Sequence, residues 1–264
     1  LTGQTRIKLV LNYLKRSRQA LERDLAGTDR KHHFSPAAYG QLTVSLPLAK
    51  AHLGGRLLDV GCGDMPFRQA LAAQLDDYDG LDFLPRSAGV RYVADAQDMH
   101  MIADASYDSV LCLEVLEHIP DPFRAMREIG RVLKPGGRLV LSVPHLSRLH
   151  DIPHDYFRYT RYGVERLLQA GGLTAVEMRV RGGLFSFLGH QLSTIALGLV
   201  WGLPLLREVV WHLNRIVVVY PATWLDTWLD RQGLFALGYT VAACKPSAAN
   251  RLEEESAAGE VSGA

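Results

Sequence analysis

Two glycines and two aspartates carry the most specific chemistry in this chain. Gly61 and Gly63 stand in Leu57-Leu58-Asp59-Val60-Gly61-Cys62-Gly63-Asp64, after a short apolar run and before a helical one. Glycine at such a turn lets the backbone approach a nucleotide-like ligand at the carboxyl ends of a sheet's strands. Asp82 ends the next apolar run, where its carboxylate can accept both hydroxyl hydrogens of a ribose. Asp95, in Val93-Ala94-Asp95-Ala96, ends a third and could accept from an adenine amino group. Either aspartate alone suits a helix cap or a turn equally well. Two at successive strand ends, behind the glycine turn, favour a nucleoside. A Gly-x-Gly turn also suits a dinucleotide, but Pro66 stands where that fingerprint expects its third glycine.

A second group lies further on: Pro144-His145, His150-Asp151 and His154-Asp155-Tyr156-Phe157-Arg158-Tyr159-Thr160. His145 and His154 are the candidate proton acceptors. The alternative is a rigid loop in which Asp155 and Arg158 pair and Thr160 caps the following helix. No metal is expected on His145, His150 and His154, because Pro144 and Pro153 break any helical register that would align the rings.

These residues need a scaffold of strand ends, and the hydrophobic pattern supplies one. Short apolar runs at 56–60, 78–83, 91–94, 109–113 and 137–143 read as strands, with helical spacing at 65–75 and 121–133. Gly136-Gly137 makes a turn into the fifth strand, 160–170 reads as a helix, and 173–180 and 237–244 read as two more strands. Alternating strands and helices imply an α/β, doubly wound, seven-stranded, mostly parallel sheet covered on both faces. Residues 184–230 do not fit a plain sheet connection and read as a hydrophobic helical insertion. His190, Gln191, Ser193, Thr194 and Pro204 dilute it, and a single crossing would put the last strand across the membrane from its sheet. A helical hairpin lying on a membrane, or covering an apolar pocket, meets both constraints. All four tryptophans (Trp201, Trp211, Trp224, Trp228) fall here; they suit a membrane interface, a core or a dimer seam.

The domain expectation is an amphipathic helical cap at 1–50, a ligand-binding domain at 51–246 containing the insertion, and a disordered tail at 247–264. The first 31 residues carry an excess of five basic over acidic residues, which suits contact with anionic lipid or simply a solvated face. The chain has 264 residues and a net charge of +1, against a nucleic-acid binder with a uniformly basic surface. Cys62, Cys112 and Cys244 are odd in number and widely spaced, which fits reduced thiols in a cytoplasmic protein, peripheral at the membrane if the basic helix binds there. Lys8, Lys15, Arg16 and Arg18 interrupt any signal-peptide core, so export is not expected.

In ordered combination, the motifs resemble the class I S-adenosylmethionine (SAM)-dependent methyltransferases, within the group that includes ubiquinone-type enzymes. The residues that carry this are 57–63, Leu81-Asp82, Ala94-Asp95-Ala96, Leu113-Glu114-Val115-Leu116-Glu117-His118-Ile119 and Arg131-Val132-Leu133-Lys134-Pro135-Gly136-Gly137. The resemblance covers about residues 40–180. It implies a Rossmann-like methyltransferase fold whose last strand is antiparallel, with 237–244 between the fifth and sixth strands. It further implies SAM as cofactor: Asp59, Gly61, Cys62 and Gly63 around its methionine part, Asp82 and Phe83 at the ribose, Asp95 and Ala96 at adenine. Leu113 and Glu114 would lie near the sulfonium, with His118 closing that side or, alternatively, fixing the turn. The implied reaction moves a methyl group to a small-molecule acceptor, chiefly an oxygen of an apolar, lipid-linked or glycan-type substrate. A catalytically inactive SAM-binding regulatory module would carry the same cofactor residues.

Overall fold

The computed structural model describes residues 3–25, 28–85, 87–230 and 232–247. Its elements run α1 (Gly3–Leu25), α2 (Pro36–Gly40), α3 (Leu46–His52), β1 (Gly55–Val60), α4 (Arg68–Leu71), β2 (Leu75–Asp82), β3 (Val90–Val93), β4 (Tyr107–Leu113), α5 (Pro122–Val132), β5 (Leu133–Pro144), α6 (Arg161–Ala170), β6 (Thr174–Arg181), α7 (Leu184–Val200), α8 (Pro204–Leu213), α9 (Tyr220–Leu229) and β7 (Gly238–Cys244). The chain divides into two compact units, one of residues 1–44 with 180–237, the other of 45–179 with 238–264. Of the tail expected at 247–264, residues 248–264 lie outside the described residues.

The second unit holds the sheet, in the order β3-β2-β1-β4-β5-β7-β6. β1 pairs in parallel with β2 and β4, β2 with β3, and β4 with β5; β7 runs antiparallel to β5, from Arg138 opposite Cys244 to Pro144 opposite Gly238. All seven expected strands are present. Leu57, Leu58, Val110, Leu111, Leu139, Leu141 and Val241 are buried, as continuous apolar runs covered on both faces require. After β3 the chain returns to place β4 on the other side of β1, so the order reverses between β1 and β4. Ligands of open α/β sheets sit in the crevice outside such a point.

Local chemistry sets the helix boundaries. Asp121 caps α5 by accepting from the Arg124 N–H at 3.0 Å, with Pro122 in the first turn. Gly130 lets α5 meet the turn after α6: a Cβ there would lie 2.0 Å from the Gly171 carbonyl oxygen. The helix expected over 65–75 is shorter, α4 plus a 3-10 turn at Ala72–Gln74. Met65 has φ 53 and Pro66 follows it, so the glycine turn continues to Phe67 before helical geometry begins.

The first unit joins two segments that are far apart in sequence. Leu21 and Leu25 of α1 are buried in one cluster with Leu197, Trp201 and Trp211 of the insertion. The insertion is a hairpin: α7 forms one arm, and α8, a π-helical stretch at Asn214–Val219 and α9 form the other. Pro221, in the first turn of α9, has no N–H to donate back, and a π-bulge absorbs such a missing bond. Asp226 of α9 caps α7, accepting from the N–H groups of Gly183 at 2.8 Å, Phe185 at 2.8 Å and Ser186 at 2.9 Å. No helix among the described residues is long and apolar enough to cross a membrane.

Candidate active site

The expected cofactor residues assemble at the carboxyl ends of β1 to β4. Gly61 and Gly63 leave β1 with φ 69 and φ 51, a region that favours glycine. They are required for different reasons. A Cβ on Gly61 would lie 2.3 Å from Val115 Cγ2, whereas one on Gly63 would meet nothing within 4 Å. Gly61 is therefore a packing glycine against the turn after β4, and Gly63 borders open space. Cys62 points away from that space: a Cβ on Gly80 would lie 2.7 Å from its Sγ. Its N–H donates to the Leu81 carbonyl at 3.1 Å, and its own carbonyl accepts from Met65 N–H at 2.7 Å.

Asp82, the last residue of β2, holds this turn in place. One oxygen accepts from the Gly63 N–H at 2.9 Å and the other from the Leu84 N–H at 3.0 Å. Each carboxylate oxygen has a further lone pair, so the clamp can still accept hydroxyl hydrogens. Phe83 beside it is 73% exposed, a large apolar ring left open at the strand end. Asp95 follows β3 and accepts from the backbone and side-chain N–H groups of Gln97 at 2.8 and 2.9 Å, next to the buried Ala96. Asp59 is buried within β1 and accepts from the Tyr78 hydroxyl. Burial pushes its carboxyl up to about 7 against the opposing hydrogen bond from Tyr78, with Asp82 and Asp64 adding repulsion.

At the end of β4, Leu113 is half-buried and Glu114 adopts φ 54, costly for a non-glycine residue and typical of functional turns. Bonds to β5 hold it there: Glu114 N–H donates to the Ser142 carbonyl at 3.1 Å and Ser142 Oγ donates to Glu114 Oε1 at 2.9 Å. His118 lies in the following 3-10 turn, with Nδ1 2.6 Å from the His154 carbonyl oxygen.

The run after β5 is tied across this turn. Tyr156 N–H donates to the Glu117 carbonyl at 2.8 Å and the Tyr159 hydroxyl to the Leu116 carbonyl at 2.9 Å. Asp155 receives Arg158 through both oxygens, at 2.6 and 2.8 Å, and the guanidinium holds the carboxyl well below its usual range. Thr160 caps α6, accepting from Gly163 N–H at 3.2 Å. The two candidate bases sit in different surroundings. His145 is half-buried with its ring 5.7 Å from that of Tyr239, and burial lowers its affinity for a proton. His154 is exposed, its Nδ1 3.1 Å from the Tyr156 hydroxyl. His150 joins Glu117 and His118 instead, one ligand atom from each lying within 4.8 Å of the others. Sequence spacing did not bring out that trio, because Glu117 and His150 meet only where two loops cross.

The residues present suit SAM: a glycine turn facing open space, a carboxylate at the second strand end, and a second, buried carboxylate already facing repulsion that a cation would relieve. Residues 32–199 match the family model for a methyltransferase domain. The chain belongs to that family of methyltransferases. Two similar curated relatives are ubiquinone biosynthesis O-methyltransferases. That of Xanthomonas oryzae is 34% identical over 124 residues, 42% of this chain and 50% of the relative. That of Aliivibrio fischeri is 32% identical over 124 residues, 42% of this chain and 52% of the relative. The methyltransferase chain thus spans about half the length of the curated relatives it matches. Among solved structures, the cyclase SpnF aligns with TM-score 0.53 at 21% identity, over 80% of this chain and 82% of its own. A SAM-dependent methyltransferase from Archaeoglobus fulgidus aligns with TM-score 0.51 at 17% identity, over 79% and 94%. These likenesses establish the class I fold of this methyltransferase.

Proposed function

We propose that this protein transfers a methyl group from SAM to an oxygen of an apolar, lipid-linked or glycan-type small molecule. SAM, when bound, supplies a methyl group on a sulfonium already activated for attack, so alignment of the acceptor provides most of the acceleration. Asp59 and the Gly61–Gly63 turn hold the methionine end, Asp59 by taking its ammonium as counter-ion. Asp82 accepts the ribose hydroxyls, with Phe83 over the same part, and Asp95 with Ala96 meets the adenine. Leu113 and the strained Glu114 border the sulfonium, and His118 closes that side. A hydroxyl acceptor needs a base, and His145 and His154 are the candidates. His145 is the more sheltered of the two, half-buried beside Tyr239, and burial lowers its affinity for a proton.

The observation that carries this reading is the run of acceptors along successive strand ends, Asp59, Asp82 and Asp95, around the open Gly63 turn. An apolar acceptor is supported by the insertion. Leu188, Leu192, Ile195 and Leu199 of α7 are all exposed at helical spacing, as are Val209, Leu213, Ile216, Trp224 and Trp228 of the opposite arm. Such a surface suits peripheral contact with lipid; a second copy of the chain would cover it equally well. Incubation of the purified protein with SAM and fractions of a bacterial extract tests the enzymatic reading. S-adenosylhomocysteine is expected to accumulate with an organic-extractable fraction. SAM binding without release of S-adenosylhomocysteine in any fraction would instead establish the inactive regulatory module.

A further inference from the structure

We infer that Glu117, His118 and His150 form a binding site for a divalent first-row transition metal ion, with zinc as the best match. Glu117 Oε1 lies 3.7 Å from His118 Nε2 and 3.8 Å from His150 Nε2. Two donors on one tetrahedral ion with bonds of about 2.1 Å stand roughly 3.4 Å apart. Each carboxylate contact needs to close by only a few tenths of an ångström, and one ligand atom of each of the three residues lies within 4.8 Å of the others.

The outward nitrogens fix which inner ones are free to bind metal. His118 Nδ1 is 2.6 Å from the His154 carbonyl oxygen, which can only accept, so Nδ1 donates outward and Nε2 is the nitrogen that faces Glu117 and that a metal would take. His150 Nδ1 faces two acceptors, Asp155 Oδ2 at 3.4 Å and the Arg148 carbonyl oxygen at 3.3 Å, with the Arg158 guanidinium slightly further at 3.5 Å. This again leaves Nε2 for the inside. Imidazoles held by a carbonyl or carboxylate through the far nitrogen are the usual partners of a bound metal.

The cluster thus turns two imidazole Nε2 atoms toward a carboxylate whose side chain is fully buried, the donor set of a cation site. Asp151, whose Oδ2 is 3.9 Å from His118 Nε2, and Asp155 add negative charge nearby. The neighbouring Arg158 is engaged by Asp155 and by the Ser147 and Arg148 carbonyls. Two nitrogens and one carboxylate select zinc and its neighbours over magnesium or calcium, which prefer all-oxygen sets. Three protein donors leave a coordination position open to a small oxygen ligand, next to the turn that borders the transferred methyl group in the proposed reaction.

The site shares His118 with the proposed SAM pocket, and its metal binding is tested without SAM. The full chain, freed of metal with a chelator, is titrated with zinc and with cobalt as a coloured substitute. One equivalent is expected to bind, cobalt giving the visible bands of a low-coordinate nitrogen and oxygen set. His150→Ala is expected to weaken binding by at least about 100-fold, the upper end of what losing a mere outer partner costs. Glu117→Gln should do the same. Circular dichroism and the cooperative thermal unfolding of each variant report that it is folded. Absence of stoichiometric binding to the wild-type chain, or unchanged affinity in a folded His150→Ala variant, would overturn the site.

Discussion

Asp59 is the residue whose charge state most directly reports the cofactor. Its carboxyl stands at about 7 when folded, above an unfolded value of about 3.9. A raised acid favours the folded state fully below the unfolded value and loses that contribution as pH rises from about 4 through 7. Bringing the SAM ammonium beside it reverses the shift, so binding at pH 7 should release a fraction of a proton. Calorimetric titrations in buffers of different ionisation enthalpy will show that release, and Asp59→Asn should abolish it. The two glycines should separate stability from binding. Gly63→Ala places a methyl group in open space at φ 51; it should cost about 1–2 kcal/mol of stability while weakening SAM severely. Gly61→Ala drives a methyl group into Val115 and should cost about 2–4 kcal/mol, the sum of that strain and overpacking. Urea denaturation checks both. The glycines and strand-end aspartates were legible because their types are rare together and their spacing follows the chain. Glu117 was not singled out, since its surroundings come from His150, thirty-three positions away across a loop crossing.

At the scale of elements, β1, β2, β4, β5 and β7 could be read from the sequence because covered strands are short, continuous apolar runs with clear breaks, whereas the edge strands β3 and β6 are largely exposed and carry shorter or alternating apolar patterns. Boundaries deviated where polar residues extend a strand or a turn delays a helix. β2 begins at Leu75, ahead of the apolar run, because Asp76 and Asp77 sit at its exposed start. α4 waits until the Met65 and Pro66 turn is complete. The antiparallel pairing of β7 with β5 follows from the family resemblance and not from periodicity, which carries no strand direction. The capping of α7 by Asp226 was likewise invisible, since 40 positions of chain separate Asp226 from the first turn of the helix it serves. Because that carboxylate accepts three backbone N–H groups, Asp226→Ala should destabilise the insertion by about 2–4 kcal/mol, and Asp226→Asn by less, as one acceptor is retained. Chemical denaturation followed by tryptophan fluorescence reads this directly, since Trp201 and Trp211 are buried in the same unit.

For the whole molecule, the division into two units differs from a linear split into a cap and a domain: residues 1–44 pack with the insertion. This grouping is set by long-range burial of Leu21 and Leu25 with Trp201 and Trp211, which no local pattern encodes. The four tryptophans accordingly have two roles. Trp201 and Trp211 are 2% and 4% exposed, whereas Trp224 and Trp228 are 62% and 64% exposed. If the exposed pair meets lipid, the protein should float with anionic liposomes at low salt, and Trp224→Ser with Trp228→Ser should reduce flotation several-fold; wild-type protein that stays at the bottom would remove the membrane role. The central claim, that the strand ends of the sheet form the SAM site of a methyltransferase, is tested most directly by a crystal structure with S-adenosylhomocysteine. Its ribose hydroxyls are expected on Asp82, its adenine beside Asp95 and Ala96, and its sulfur next to Leu113 and Glu114. A ligand bound elsewhere on the chain, or none at saturating concentration, would contradict it.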